Sequence, residues 1–167
     1  RATLARLLPE LQKEYSPDLV IINGENIAHG KGVTIATVNE LLEAGVDWIT
    51  LGDHAFDNPK ELESCIEKNL PIIRPANFKK NLPGKGYTVI STPKGEVLLV
   101  NLLGQAFMNR HFDSPFETWK EIEALFTDKS FSAIVIDIHA EATAEKVAFK
   151  HFVDGRVSAL LGTHTHI

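Results

Sequence analysis

A chain of 167 residues, 44% of them hydrophobic, has enough apolar mass for one sizeable core, so a single domain is expected. A formal net charge of −5 excludes binding nucleic acid on a general basic surface, which needs clustered Lys and Arg. The lone cysteine, Cys65, excludes an internal disulfide, and with no evident signal peptide or run of about 18 apolar residues the expected compartment is the cytoplasm, without membrane association.

The chain opens on Arg1 and stops one residue after His166, where a loop should continue, so it is expected to be a piece of a longer protein. Leu4, Leu7, Leu8, Leu11 and Tyr15 share one helical face, predicting an amphipathic helix over residues 1–15 that covers a sheet. Ser16-Pro17 ends it, because proline disfavours helical geometry in the residue before it. Residues 18–22 (DLVII) form a short apolar run suited to a strand buried on both faces, and this run opens into NGENIAHGKG.

Thr34 is the predicted N-cap of a helix through Glu43, with Gly45 as its stop. The next strand, residues 46–51 (VDWITL), empties into Gly52-Asp53-His54. Asn58 and Pro59 start a helix through about Lys68 that turns Leu62, Cys65 and Ile66 inward, making Cys65 a packing residue. Residues 70–78 predict a short strand broken by Pro75, and residues 87–91 and 97–101 a hairpin with Gly95 in the turn.

Residues 104–115 lack periodicity and carry Arg110 and His111, either as a lid or as an ordinary surface loop. Trp119, Ile122, Leu125 and Phe126 predict the inward face of a helix over residues 117–127. The strand AIVIDI, residues 133–138, empties into His139-Ala140-Glu141, and a helix over residues 143–152 follows. Asp154-Gly155 reads as a turn. The last strand, residues 157–161, runs out into Gly162 and then His164 and His166, which in an extended segment point to the same side.

Four times, then, an apolar strand runs straight into polar residues able to bind metal. If these strands are parallel neighbours, the four clusters lie along the carboxyl edge of one sheet, where α/β proteins place their ligands. A lone His after a strand is ordinarily structural; four clusters in phase with four strands point to a site. Mixed imidazole and oxygen ligands suit first-row ions such as Mn, Fe or Zn, and two such ions can hold a hydroxide nucleophile and clamp phosphate oxygens.

NGENIAHGKG, GDHAFD, RPANF, DIHAEAT and GTHTH, in this order, resemble the YmdB-type bacterial members of the calcineurin-like metallophosphoesterases. The resemblance covers the whole chain. It implies an α/β fold, a β-sandwich flanked by helices, here without the family's first strand and C-terminal portion. It also implies a binuclear metal centre (Fe, Mn or Zn) and hydrolysis of phosphodiesters, notably 2′,3′-cyclic nucleotides, by a metal-activated hydroxide. Carried over by position, Glu25 is the bridging carboxylate, with Asn26 and His166 beside it on one metal. His139 and His164 serve the other metal with Glu25 and Asp53, and His54 is the general acid.

The family pattern has Asn where this chain has Asp53, and the family's first strand ends in a metal-binding Gly-Asp that is absent here. Asp57 either orients His54 or caps the following helix. His29 and Asn77 read as loop-shaping residues, and His111 and His151 match no role. The expected partner is a small phosphodiester or cyclic nucleotide, with a homo-oligomer left open. Two other readings compete: a metal-bearing regulatory or scaffold protein with little turnover, and an amidohydrolase-type enzyme, whose HxH pair would sit early in the chain rather than last.

Overall fold

The computed structural model describes residues 1–79 and 81–165. Its elements run α1 (Ala2–Tyr15), β1 (Ile21–Asn23), α2 (Ile35–Glu43), β2 (Trp48–Thr50), α3 (Pro59–Glu67), β3 (Ile72–Ile73), β4 (Tyr87–Thr92), β5 (Gly95–Leu103), α4 (Pro115–Ala124), β6 (Ala133–Ala140), α5 (Thr143–Val153) and β7 (Ala159–His164). They form two compact units, Arg1–Ile72 and Ile73–Ile167, with β3 spanning the division. No helix among the described residues is long and apolar enough to cross a membrane.

The mixed α/β class is as expected, and the strands make two sheets, ordered β1-β2-β3 and β4-β5-β6-β7. The four polar strand ends therefore do not lie on one sheet edge: β1 and β2 belong to the first sheet, β6 and β7 to the second. The reason lies at residues 71–75. Pro71 and Pro75 cannot donate to a ladder, so β3 has only two residues and the chain begins a new sheet with the β4–β5 hairpin.

In the first unit β1 and β2 are parallel, with Ile21, Ile22 and Asn23 opposite Trp48, Ile49 and Thr50. Both are shorter than predicted because side chains take over the entry. The Asp47 carboxylate accepts from Val20 N (2.7 Å), while Val20 O accepts from Asp47 N and Trp48 N. Helix α2 starts as predicted, with a reciprocal capping box between Thr34 and Thr37. Helix α1 buries less than its pattern implied: Leu8 is buried, but Leu11 and Tyr15 are 46% and 70% exposed. Contact follows the single i, i+4 line through Leu4, Leu8 and Gln12, whose amide donates to Gly45 O at 2.9 Å, and Leu11 and Tyr15 fall off that line.

In the second unit β4 and β5 are antiparallel, and β5–β6 and β6–β7 are parallel. The hairpin turn is Pro93-Lys94, with Gly95 already opposite Thr92 in the ladder rather than in the turn. Proline fixes φ negative at the first turn position and so rules out the primed turns; Gly95, at φ +117, restores the strand twist instead. Even-numbered residues of β5 and β6 (Leu98, Val100, Leu102, Ile136, Ile138, Ala140) pack with Trp119, Ile122, Phe149 and Val153 in one core. By alternation Asn101, Asp137 and His139 face the other side of the sheet.

Helix α4 begins at Pro115, two residues earlier than predicted, because Ser114 accepts from Glu117 N and caps it. Its inward face is Trp119 and Ile122; the helix ends at Ala124 rather than at residue 127, and Phe126, just beyond it, meets Tyr87 and Phe131 edge-on. Leu125 is not on that face: it stands at the C-cap, 63% exposed.

Candidate functional site

The first unit brings Glu25, Asp53 and His54 together. Glu25 and Asp53 are 1% and 8% exposed, and one ligand atom from each of the three residues lies within 4.8 Å of the others. The local sequence builds this. Gly24 follows β1 because a Cβ there would meet Ile49 Cγ2 at 2.4 Å, so only glycine lets the turn lie against β2. Asn23 Oδ1 then accepts from Glu25 N (3.1 Å), an Asx turn that aims the glutamate back over the sheet. Glu25 Oε1 in turn accepts from His54 N at 2.5 Å, tying the two strand-end loops together.

Two buried carboxylates and an imidazole gathered this closely are a donor set that suits a hard or borderline metal ion. Asn26 follows Glu25 in the same turn, exposed, its carbonyl accepting from Gly30 N. His54 Nδ1 lies 2.7 Å from Asp57 Oδ2, whereas the N-cap of α3 is Asn58, which makes no side-chain cap bond. Of the two roles open to Asp57, the structure favours orienting His54. His29 sits in the loop after β1 with φ 54, a turn-shaping conformation, and is exposed.

The second unit brings His139 and His164 together. His139 is 1% exposed, its Nε2 is 3.0 Å from His164 Nδ1, and the ring centroids are 4.8 Å apart. Two ligands of one ion at about 2.0–2.1 Å each stand roughly 3 Å apart, so this spacing suits a shared metal. His139 lies inside β6, opposite Thr163 in β7, not beyond the strand end as predicted. Strand β7 likewise continues through Gly162 to His164.

His164 has φ 78, so it is not extended, and the same-side spacing argued for His164 and His166 does not apply. In a regular strand His164 would point opposite to Thr163; the left-handed backbone turns its ring to His139 instead. His166 lies outside the described residues.

Sequence reasoning did not mark the partners of these imidazoles. Thr163 Oγ1 is 3.0 Å from His139 Nδ1 and donates to Asp137 Oδ1 at 2.6 Å, and Glu141 Oε2 is 2.8 Å from His164 Nε2. The buried aspartate inside AIVIDI, two residues before His139, was the available signal for one of them. Lys146 Nζ donates to Thr165 O and Oγ1, both at 2.7 Å, and holds the segment after His164. Burial pushes the Lys146 ammonium pKa down, and Glu141 and Asp137 pull it back up. Asn77 is fully buried, donating to Leu103 O and Asp113 O and accepting from Leu103 N, the loop-shaping role expected of it.

The chain is 41% identical over 167 residues to the 2′,3′-cyclic-nucleotide 2′-phosphodiesterase of Bacillus subtilis strain 168, covering 100% of this chain and 62% of that one. The crystal structure of a novel phosphatase from Mycoplasma pneumoniae superposes with a TM-score of 0.88 at 35% identity, over 99% of this chain and 59% of that one. That of a hypothetical protein from Thermus thermophilus also gives 0.88, at 40% identity, over 99% and 63%. The chain thus spans between 57% and 62% of the length of the curated relatives it matches. Its fold is that of the calcineurin-like metallophosphoesterases, as the sequence motifs implied. The family model described as YmdB-like protein matches residues 1–167, the whole chain, and the chain belongs to that family.

Proposed function

We propose that this chain is the metal-bearing part of a phosphodiesterase, a hydrolase acting on small phosphodiesters and above all on 2′,3′-cyclic nucleotides. The observation that carries the reading is the His54–Asp57 pair, a hydrogen-bonded imidazole and carboxylate (2.7 Å) directly beside the buried Glu25 and Asp53. The 2′,3′-cyclic-nucleotide name of the Bacillus subtilis relative supports the substrate class.

The proposed ligands for two transition-metal ions (Fe, Mn or Zn) are Glu25, Asn26 and His166 for one, and Glu25, Asp53, His139 and His164 for the other. When bound, such ions stabilise charge on phosphate oxygens and lower the pKa of water. The protein's own part is proton delivery. A ribose oxygen leaves poorly as an alkoxide, and His54, held at Nδ1 by Asp57, has Nε2 left to protonate it. Asp57 keeps the ring in the orientation this needs, and the proton delivered is the one that the imidazolium form carries on Nε2.

The test is turnover by the full-length protein, with Mn or Fe supplied, of 2′,3′-cyclic AMP, 3′,5′-cyclic AMP and p-nitrophenyl phosphate esters. Fastest cleavage of the 2′,3′-cyclic substrate is expected. Bound metal with no turnover of any of the three would return the chain to the scaffold reading.

A further inference from the structure

We infer that Thr163 and Asp137 are positioning residues that set the tautomer of His139, so that its Nε2 presents a lone pair to a metal ion. The inference rests on the reading of His139 and His164 as metal ligands, and extends it to residues that no comparison assigns.

Counting protons along the chain of hydrogen bonds leads there. A threonine hydroxyl has one proton, and that of Thr163 is donated to Asp137 Oδ1 at 2.6 Å. At the 3.0 Å contact with His139 Nδ1 the hydroxyl must therefore accept, so Nδ1 carries the ring proton and Nε2 its lone pair. On the other ring, His164 Nε2 lies 2.8 Å from Glu141 Oε2, which accepts, and this leaves Nδ1 to meet His139.

The ring-to-ring contact, His164 Nδ1 to His139 Nε2 at 3.0 Å, is then a hydrogen bond that ends on the His139 Nε2 lone pair. A metal ion held by His139 would take that same lone pair in place of the proton. Asp137 and Thr163 occupy the right places because of sheet geometry. Residues 137 and 139 share a face of β6, and the register sets Thr163 beside His139. Asp137 is 3% exposed, so the chain is anchored on a carboxylate that does not wander.

The test compares Thr163→Val, which keeps the branched shape but removes the hydroxyl, with Thr163→Ser and Asp137→Asn, all in the full-length protein. Mn and Zn affinity is measured by competition titration, thermal midpoints are recorded as a control for folding, and ¹⁵N NMR of the metal-free protein reads the His139 tautomer. Thr163→Val and Asp137→Asn are expected to weaken metal binding by roughly 10- to 100-fold, the usual effect of losing such an outer partner. They should also lose the uniform Nδ1–H form of His139, while Thr163→Ser retains both.

Metal affinity of Thr163→Val equal to that of the unaltered protein, or an equal loss in Thr163→Ser, would overturn the inference. So would an Nε2–H tautomer of His139 in the unaltered metal-free protein. If the unaltered protein shows the Nδ1–H tautomer and Thr163→Val loses it, yet no metal binds, the positioning role stands and the metal-centre reading falls.

Discussion

His54 and Asp57 are joined ring to carboxylate, Nδ1 to Oδ2, at 2.7 Å, while the first turn of α3 begins only with Pro59. An aspartate that could have served the helix serves the histidine. Proton delivery by His54 is therefore the step to perturb first. His54→Ala should keep its metals and lose roughly 10²- to 10⁴-fold in turnover of 2′,3′-cyclic nucleotides. Asp57→Asn should lose less, roughly 10- to 100-fold, the worth of a charge-assisted hydrogen bond. A p-nitrophenyl ester, whose leaving group needs little protonation, should suffer less in both variants. Equal losses on both substrates with metal content unchanged would remove His54 from this role.

Metal content is the second measurement. Elemental analysis of the full-length protein after reconstitution should give close to two transition-metal ions per chain. His139→Ala or His164→Ala should empty mainly one site, because the two imidazole nitrogens stand 3.0 Å apart and would serve one ion. A metal-free protein under all reconstitution conditions would rule the centre out.

Asp53, where the motif resemblance leads one to expect Asn, is 8% exposed beside Glu25. A carboxylate ligand binds a cation more strongly than an amide carbonyl but repels an anionic phosphodiester, and it has no N–H to offer a phosphate oxygen. Asp53→Asn is expected to raise kcat/KM for phosphodiesters roughly ten-fold and to loosen one metal, compared at saturating metal. A fall in kcat/KM with both sites filled would mean that Asp53 is adapted to the proposed activity as this chain carries it out.

Cys65 is fully buried on α3, and burial first, then the nearby Glu61 carboxylate, pushes its thiol up to about 11. Below pH 9 the native thiolate is scarce, so a thiol reagent should modify Cys65 only through unfolding, and much faster once denaturant is added. The sign for stability follows from a raised pKa. The neutral thiol's contribution is whole below the unfolded value near 9 and is lost as pH rises towards 11. Rapid labelling of the native protein at pH 8 would contradict the packing role.

Much of this protein is local and so was legible in the sequence. Thr34 and Pro59 mark helix starts because caps and fixed φ act within one turn, and Glu25, Asp53, His54, His139 and His164 stand out because each follows or ends an apolar run. The sequence could not show which sheet each of those runs would join, since pairing joins residues far apart. The motif resemblance implied a β-sandwich and so more than one sheet, but which polar strand ends fall on which sheet was settled only by the pairing.

Nor could it show the partners of the imidazoles. Thr163 reaches His139 through β-sheet register, Asp137 is pinned by a hydroxyl 26 residues away, and His164 meets His139 only because its φ of 78 breaks the alternation a strand would impose. Hydrogen bonds of that kind depend on distance in space, to within a few tenths of an ångström, and a pattern read along the chain carries no such distance.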